Sequence, residues 1–196
     1  MPSDQFFKAA VEEARQGLAE GGIPIGSVLV HRGKIIGRGH NRRVQKSSAI
    51  LHGEMDALEN AGRQPAFVYR ESVLYTTLSP CSMCSGAILL YGILTLVVGE
   101  NRTFMGEEKL LRSRGVCVEV LQDEDCIRLM QDFICASLSC GTRTSANKVV
   151  RQPHRPCGAA ARHPAFHIPH ACEPDAPDAL RHLPRPPPRL LRGPDQ

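Results

Sequence analysis

No stretch of about eighteen apolar residues occurs in this sequence, so no helix of it is expected to cross a membrane. The N-terminus, Met1-Pro2-Ser3-Asp4-Gln5-Phe6-Phe7, lacks the basic start and apolar core of a secretory leader, and export is not expected. Tryptophan is absent altogether, so no indole is available to close over a ligand. An excess of positive charge is missing from the first 140 residues as well: they carry fifteen Lys and Arg against sixteen Asp and Glu, a balance of −1. The formal charge of +4 belongs to the remainder, where nine Lys and Arg face four Asp and Glu. It says nothing of a basic active site.

What is present narrows the reading. A chain of 196 residues suits one domain with a proper core and is too short for two large ones. Eight cysteines without an export signal point to reduced thiols rather than a disulfide framework, and the expected compartment is the cytosol, with the nucleus open to it. Cys117, Cys126 and Cys135 lie in apolar-periodic segments and are expected to be small core residues. Eleven of the fifteen prolines follow Gly141. The expected organisation is therefore a folded domain over residues 1–138 and a Pro/Arg/Ala-rich tail over residues 139–196. Such a tail cannot bury enough apolar area to offset its ordering entropy, and disorder is expected. Its arginines read as solvated, and its five histidines (His154, His163, His167, His170, His182) are expected to form no defined metal site.

Within the first 138 residues the patterning alternates. Phe7, Ala10, Val11, Ala14 and Leu18 repeat at helical spacing behind a Ser3 or Asp4 cap, and Gly21-Gly22 ends the helix. Ile25 to Val30 and Ile35 to Gly39 read as a hairpin turning at Arg32-Gly33. A helix follows from about His52 to Asn60, closed by Gly62, and a strand from Val73 to Thr77. Pro80 suits the first turn of the next helix, which runs through Tyr91 to Gly92. Leu94 to Val98 is a strand, Glu107 to Arg114 a weaker helix, Val116 to Leu121 a strand, and Glu124 to about Ala136 a helix with Ile127, Met130 and Ile134 on one face. The expectation is an α/β fold: three layers, α/β/α, around a mixed five-stranded sheet.

Two segments carry the chemistry. Leu51-His52-Gly53-Glu54 opens one predicted helix, and Ser79-Pro80-Cys81-Ser82-Met83-Cys84 opens another. His52, Cys81 and Cys84 offer one imidazole nitrogen and two thiolates, a set that suits Zn2+ and leaves its fourth tetrahedral position to water. Glu54, two residues past the histidine, is placed to hydrogen-bond that water without binding the metal. A C-x-x-C pair alone also fits a redox couple, since a cysteine at a helix start has a lowered thiol pKa. The 25 residues between Glu54 and Pro80 leave room for one helix, a loop and a strand, bringing both segments to one sheet edge.

H-x-E followed by P-C-x-x-C resembles the signature of zinc-dependent nucleobase deaminases. Residues from about Gln5 to Ile134 resemble the fungal cytosine deaminases through Gly21-Gly22-Ile23-Pro24-Ile25-Gly26, Gly37-Arg38-Gly39-His40-Asn41, Leu51 to Glu54, Leu74 to Ile88 and Val98-Gly99-Glu100-Asn101. Related tRNA adenosine deaminases typically carry Ala at the Gly53 position and Glu at the Ser79 position. The resemblance implies a homodimer, a free pyrimidine base as substrate, and Glu54 as the proton-transferring residue. It implies further that Asn41, the Gly53 backbone N–H and the Leu78-Ser79 segment hold the base, and that Phe104 covers its ring. It also implies a C-terminal lid helix bearing a Trp and an acidic residue, and here the sequence departs, because the tail replaces it. A shifted reading frame or a retained intron would give such a composition.

Two rival readings stay open at this point. One is a zinc-holding dimer or regulatory relative without turnover. The other is a deaminase of RNA or DNA bases, against which the near-neutral first 140 residues argue, since nucleic-acid substrates call for a basic track.

Overall fold

The computed structural model describes residues 2–139 of the chain. The expected tail and its five histidines lie outside the described residues, Ser139 excepted. Among the described residues, no helix is long and apolar enough to cross a membrane.

Eleven elements follow one another: α1 (Pro2–Ala19), β1 (Gly26–His31), β2 (Lys34–His40), α2 (Gly53–Ala61), α3 (Ala66–Arg70), β3 (Ser72–Leu78), α4 (Ser82–Tyr91), β4 (Thr95–Glu100), α5 (Glu108–Ser113), β5 (Cys117–Val120) and α6 (Glu124–Ser139). The strands form one sheet in the order β2-β1-β3-β4-β5. β1 runs antiparallel to both β2 and β3, whereas β3, β4 and β5 are parallel. The mixed five-stranded sheet and the three layers are as the patterning predicts.

Strand alternation sorts the core into two sides. Leu29, Leu74, Leu96 and Val98 pack with Leu58, Ala87, Ile88 and Leu111, which places α2, α4 and α5 on one face. Val28, Val30, Tyr75 and Val97 pack with Phe7, Ala10, Val11 and Cys126, which places α1 and α6 on the other. Leu29, Leu74, Ile88 and Leu96 are wholly buried, each contributing about 1.5–3 kcal/mol of transfer free energy.

The structure differs from the sequence expectations in four places. α1 starts at Pro2, before the expected Ser3 or Asp4 cap. The helix α3 is unpredicted; at five residues behind Pro65 it is too short to show a periodicity. Pro80 stays outside α4, and both His52 and Cys81 are extended cap residues rather than helical ones, with ψ of 165 and 173. Of the three cysteines expected in the core only Cys126 is buried, while Cys117 and Cys135 are exposed. Cys117 points outward because β5 is an edge strand whose Cys117 and Glu119 share its exposed face.

Candidate active site

The N-termini of α2 and α4 meet beside the C-terminal end of β3. His52 caps α2 and Cys81 caps α4, and neither side chain bonds its own helix. Freed from capping, both turn toward each other. Cys84 sits in the first turn of α4 and is completely buried. Both helix ends aim the positive pole of their backbone dipoles at this point, which favours thiolates and other anions there.

The three donor atoms have the spacing of a metal site. Cys81 Sγ lies 3.6 Å from Cys84 Sγ, and His52 Nδ1 lies 3.5 Å from Cys81 Sγ and 3.7 Å from Cys84 Sγ. With Zn–S near 2.3 Å and Zn–N near 2.05 Å, a tetrahedral zinc ion would separate two thiolates by about 3.8 Å and a thiolate from an imidazole nitrogen by about 3.6 Å. The donors therefore fit zinc without rearrangement. Among the described residues, no other group of three or more His, Cys, Asp or Glu side chains comes together in this way.

Without a metal the thiols share protons unequally. The hydrogen bond between the two sulfurs, with His52 beside it, holds Cys81 down at about 3. The same bond, together with burial, pushes the Cys84 thiol far up. Glu54 has only 3% of its surface exposed, and its Oε2 lies 3.4 Å from Cys84 Sγ. Burial raises its carboxyl above the usual range, and the Cys81 charge adds to that rise. It is a carboxyl able to hold a proton as well as to take one.

A pocket of about 50 Å³ opens onto these groups, and His52, Glu54, Cys81, Asn41, Leu78, Ser79 and Phe104 all line it. Asn41 is buried; its backbone N–H donates to Ile25 O at 2.8 Å and its Oδ1 accepts the Arg43 N–H at 3.2 Å. Its carboxamide nitrogen makes no hydrogen bond among the described residues. Gly53 opens α2 where a Cβ would sit 3.0 Å from the Ile25 carbonyl oxygen, tight enough to favour glycine. Phe104 packs against Ile23, Leu78 and Met130 at the pocket wall.

Ser79 lines the pocket with its side chain turned to other partners. Its hydroxyl donates to Glu108 Oε1 at 2.9 Å and accepts the Gly106 N–H at 3.1 Å, so its side chain is occupied in joining β3 to the loop before α5. Gly106 is required there, because a Cβ would fall on the Pro80 carbonyl. Glu100 shapes the same loop: its Oε2 accepts the Arg102 and Thr103 N–H groups at 2.6 and 2.9 Å, turning Thr103 and Phe104 toward the pocket.

Ile23, Ile25, Arg43, Thr103, Met130 and Phe133 also line the pocket, and the sequence did not single them out for it. For Met130 a signal existed in the apolar stripe of α6, but nothing local says which part of that stripe meets a cavity. A larger groove of about 890 Å³, flanked by Met55, Tyr69 and Tyr91, contains none of the donor residues. Zinc chemistry, not size, identifies the site.

The sequence profile of the cytidine and deoxycytidylate deaminase zinc-binding region matches residues 2–100. The chain belongs to this deaminase family. Its cofactor is zinc, and the donor set that fits it is His52, Cys81 and Cys84. Among relatives in the family is the cytosine deaminase of Candida albicans, 56% identical over 129 residues, which span 65% of this chain and 86% of that protein. The tRNA-specific adenosine deaminase of Streptococcus pyogenes (serotype M18) is 38% identical over 138 residues, 65% of this chain and 87% of that one. The guanine deaminase of Nitrosomonas europaea has the same fold, with a TM-score of 0.52 at 24% identity over 66% of this chain and 83% of that one.

Proposed function

We propose that this chain hydrolyses free cytosine to uracil and ammonia, a step of pyrimidine salvage. The observation that carries the reading is the buried Glu54 carboxyl, 3.4 Å from Cys84 Sγ, facing a small, mostly apolar pocket beside a three-donor set. The similarity to the Candida albicans enzyme supports cytosine as the base.

Zinc, when held by His52, Cys81 and Cys84, supplies a water activated for attack near neutral pH. Glu54 takes the proton from the attacking water and hands it to the ring nitrogen next to C4. A C4–O bond forms. Glu54 then carries the second proton to the amino group, the C4–N bond breaks, and ammonia leaves. One carboxyl serves as base and then as acid, a role that suits a group whose pKa burial has raised. The Asn41 carboxamide nitrogen donates to the pyrimidine, and the Gly53 N–H and the Leu78-Ser79 backbone hold its polar edge. Phe104 lies against the ring. The same reading carries a cytosolic homodimer, supported by the exposed Leu90 (80%) and Tyr91 (41%) at the end of α4. Sedimentation of the purified chain at twice the monomer mass is the expected result.

The deciding experiment is ammonia release from cytosine by the zinc-replete full chain, with tRNA adenosine as the parallel substrate. Release from cytosine alone is expected. A folded, zinc-loaded chain that releases ammonia from neither substrate would instead be a binding relative without turnover.

A further inference from the structure

His40 ends β2, stands directly before Asn41, and has no solvent exposure. Both of its ring nitrogens meet carboxylates, one on α1 and one in the turn that follows it: Nδ1 lies 3.1 Å from Glu13 Oε2 and Nε2 lies 2.9 Å from Glu20 Oε2. Each ring nitrogen thus has a carboxylate oxygen within hydrogen-bond distance, which fixes the plane of the ring from both edges. The carboxylates are themselves held. Arg38 Nε donates to Glu13 at 2.7 Å, Arg38 also pairs with Glu12, and Gln16 donates to Glu20 at 3.0 Å. From α2, Asp56 Oδ2 accepts the His40 backbone N–H at 3.1 Å and pairs with Arg42 Nε at 3.0 Å. The residues on either side of Asn41 are thus tied down, His40 to α1 and α2 and Arg42 to α2.

Stability is a weak explanation for such a cluster. A buried ionic group gains little over a well-packed apolar one of the same shape, because desolvation offsets most of the attraction. What it does supply is a fixed orientation.

We propose that His40 is a positioning residue: clamped by Glu13 and Glu20, it fixes the end of β2 so that the Asn41 carboxamide faces the pocket. The proposal rests on the reading that Asn41 binds the pyrimidine. It makes α1, a helix that contributes nothing to the pocket lining, part of what sets substrate affinity.

The test is a double-mutant cycle on the zinc-loaded full chain with cytosine as substrate. His40→Gln is expected to raise KM about tenfold with a much smaller change in kcat, as for a substrate contact moved out of place. In an Asn41→Ala background the same change is expected to alter KM by less than about twofold, because the two residues act as one unit. Wild-type KM in folded His40→Gln, or its full effect persisting beside Asn41→Ala, would overturn the proposal. Asn41→Ala with wild-type KM would instead overturn the reading of Asn41. Glu20→Gln, at a side chain 40% exposed, carries the test if His40→Gln does not fold, and is expected to raise KM in the same direction. Independently of turnover, the Asn41 side-chain amide resonances are expected to shift in Glu20→Gln, and resonances that stay in place would count against the clamp.

Discussion

Glu54 is costly where it stands. A carboxyl with 3% exposure gives up solvation that a neutral amide of the same shape would give up more cheaply, and burial accordingly raises its pKa. A raised acid pKa means that the folded state disfavours the ionised form, so above that pKa the charge subtracts from stability. Glu54→Gln is therefore expected to melt at the same temperature or higher and to keep its zinc. Turnover of cytosine should fall by about 10²–10⁴, since no proton carrier is left beside the substrate. Zinc analysis and a melt beside the assay separate the outcomes. Loss of metal with the activity would make Glu54 a ligand instead.

At the scale of elements, the pocket wall depends on how β3, β4 and α5 are joined. Glu108, 6% exposed in the first turn of α5, accepts hydrogen bonds from Ser79 and Asn101, each at 2.9 Å, and from Arg112 at 3.1 Å. Burial pushes its carboxyl up, and the bonds from Asn101, Ser79 and Arg112 more than reverse this, leaving its pKa below the usual range. The stability it contributes is present above the unfolded value of about 4.3 and is lost as pH falls through the lower folded value. Wild type is thus expected to lose stability steeply below about pH 4, while Glu108→Gln shows a shallower acid slope in melts run across pH. At neutral pH that substitution should cost about 1–3 kcal/mol, because Ser79 and Arg112 lose a charged acceptor. None of this network could be read from the sequence. Ser79 and Glu108 are 29 positions apart, and a serine before a proline looks like a turn former.

What could be read was periodic or chemically specific. The short apolar runs of β1, β3 and β4, buried on both faces, and the stripes on α1 and α6 pointed to the layers, and His52, Glu54, Cys81 and Cys84 pointed to the site, because few other arrangements use those types at those spacings. Capping escaped the sequence argument: His52 and Cys81 look like first-turn residues, and only the structure shows that both stand at extended ψ just outside their helices. His40 escaped it as well. A lone histidine at a strand end gives no sign that carboxylates from a distant helix and the turn after it will meet it.

For the whole molecule, zinc adds a tie between α2 and α4, helices that also pack on the same face of the sheet. His52 enters from α2 and the cysteines from α4, so the ion stabilises the fold by whatever it gains on binding, about 4 kcal/mol when its concentration is 1,000 times Kd. Removal by a chelator should lower the melting temperature and abolish turnover together. Cys81 is held at about 3 and needs no deprotonation near neutrality, whereas the Cys84 thiol keeps its proton in the metal-free chain. Zinc binding should therefore release one proton, from Cys84, and affinity should rise about tenfold per pH unit across the neutral range. Calorimetry in buffers of different ionisation enthalpy counts that proton. A count of zero would mean that the thiols are already both ionised. The same geometry bears on residues 140–196. Among the described residues, all three donors, Glu54 and the pocket lining fall between Ile23 and Phe133, and the buried core falls between Phe7 and Met130. A chain ending at Ser139 is accordingly expected to keep one zinc and an unchanged melting temperature. Cytosine turnover measured on the same two proteins then isolates what the tail does to the substrate, since fold and metal are held constant. A shorter chain that loses its zinc would show that the domain extends past α6.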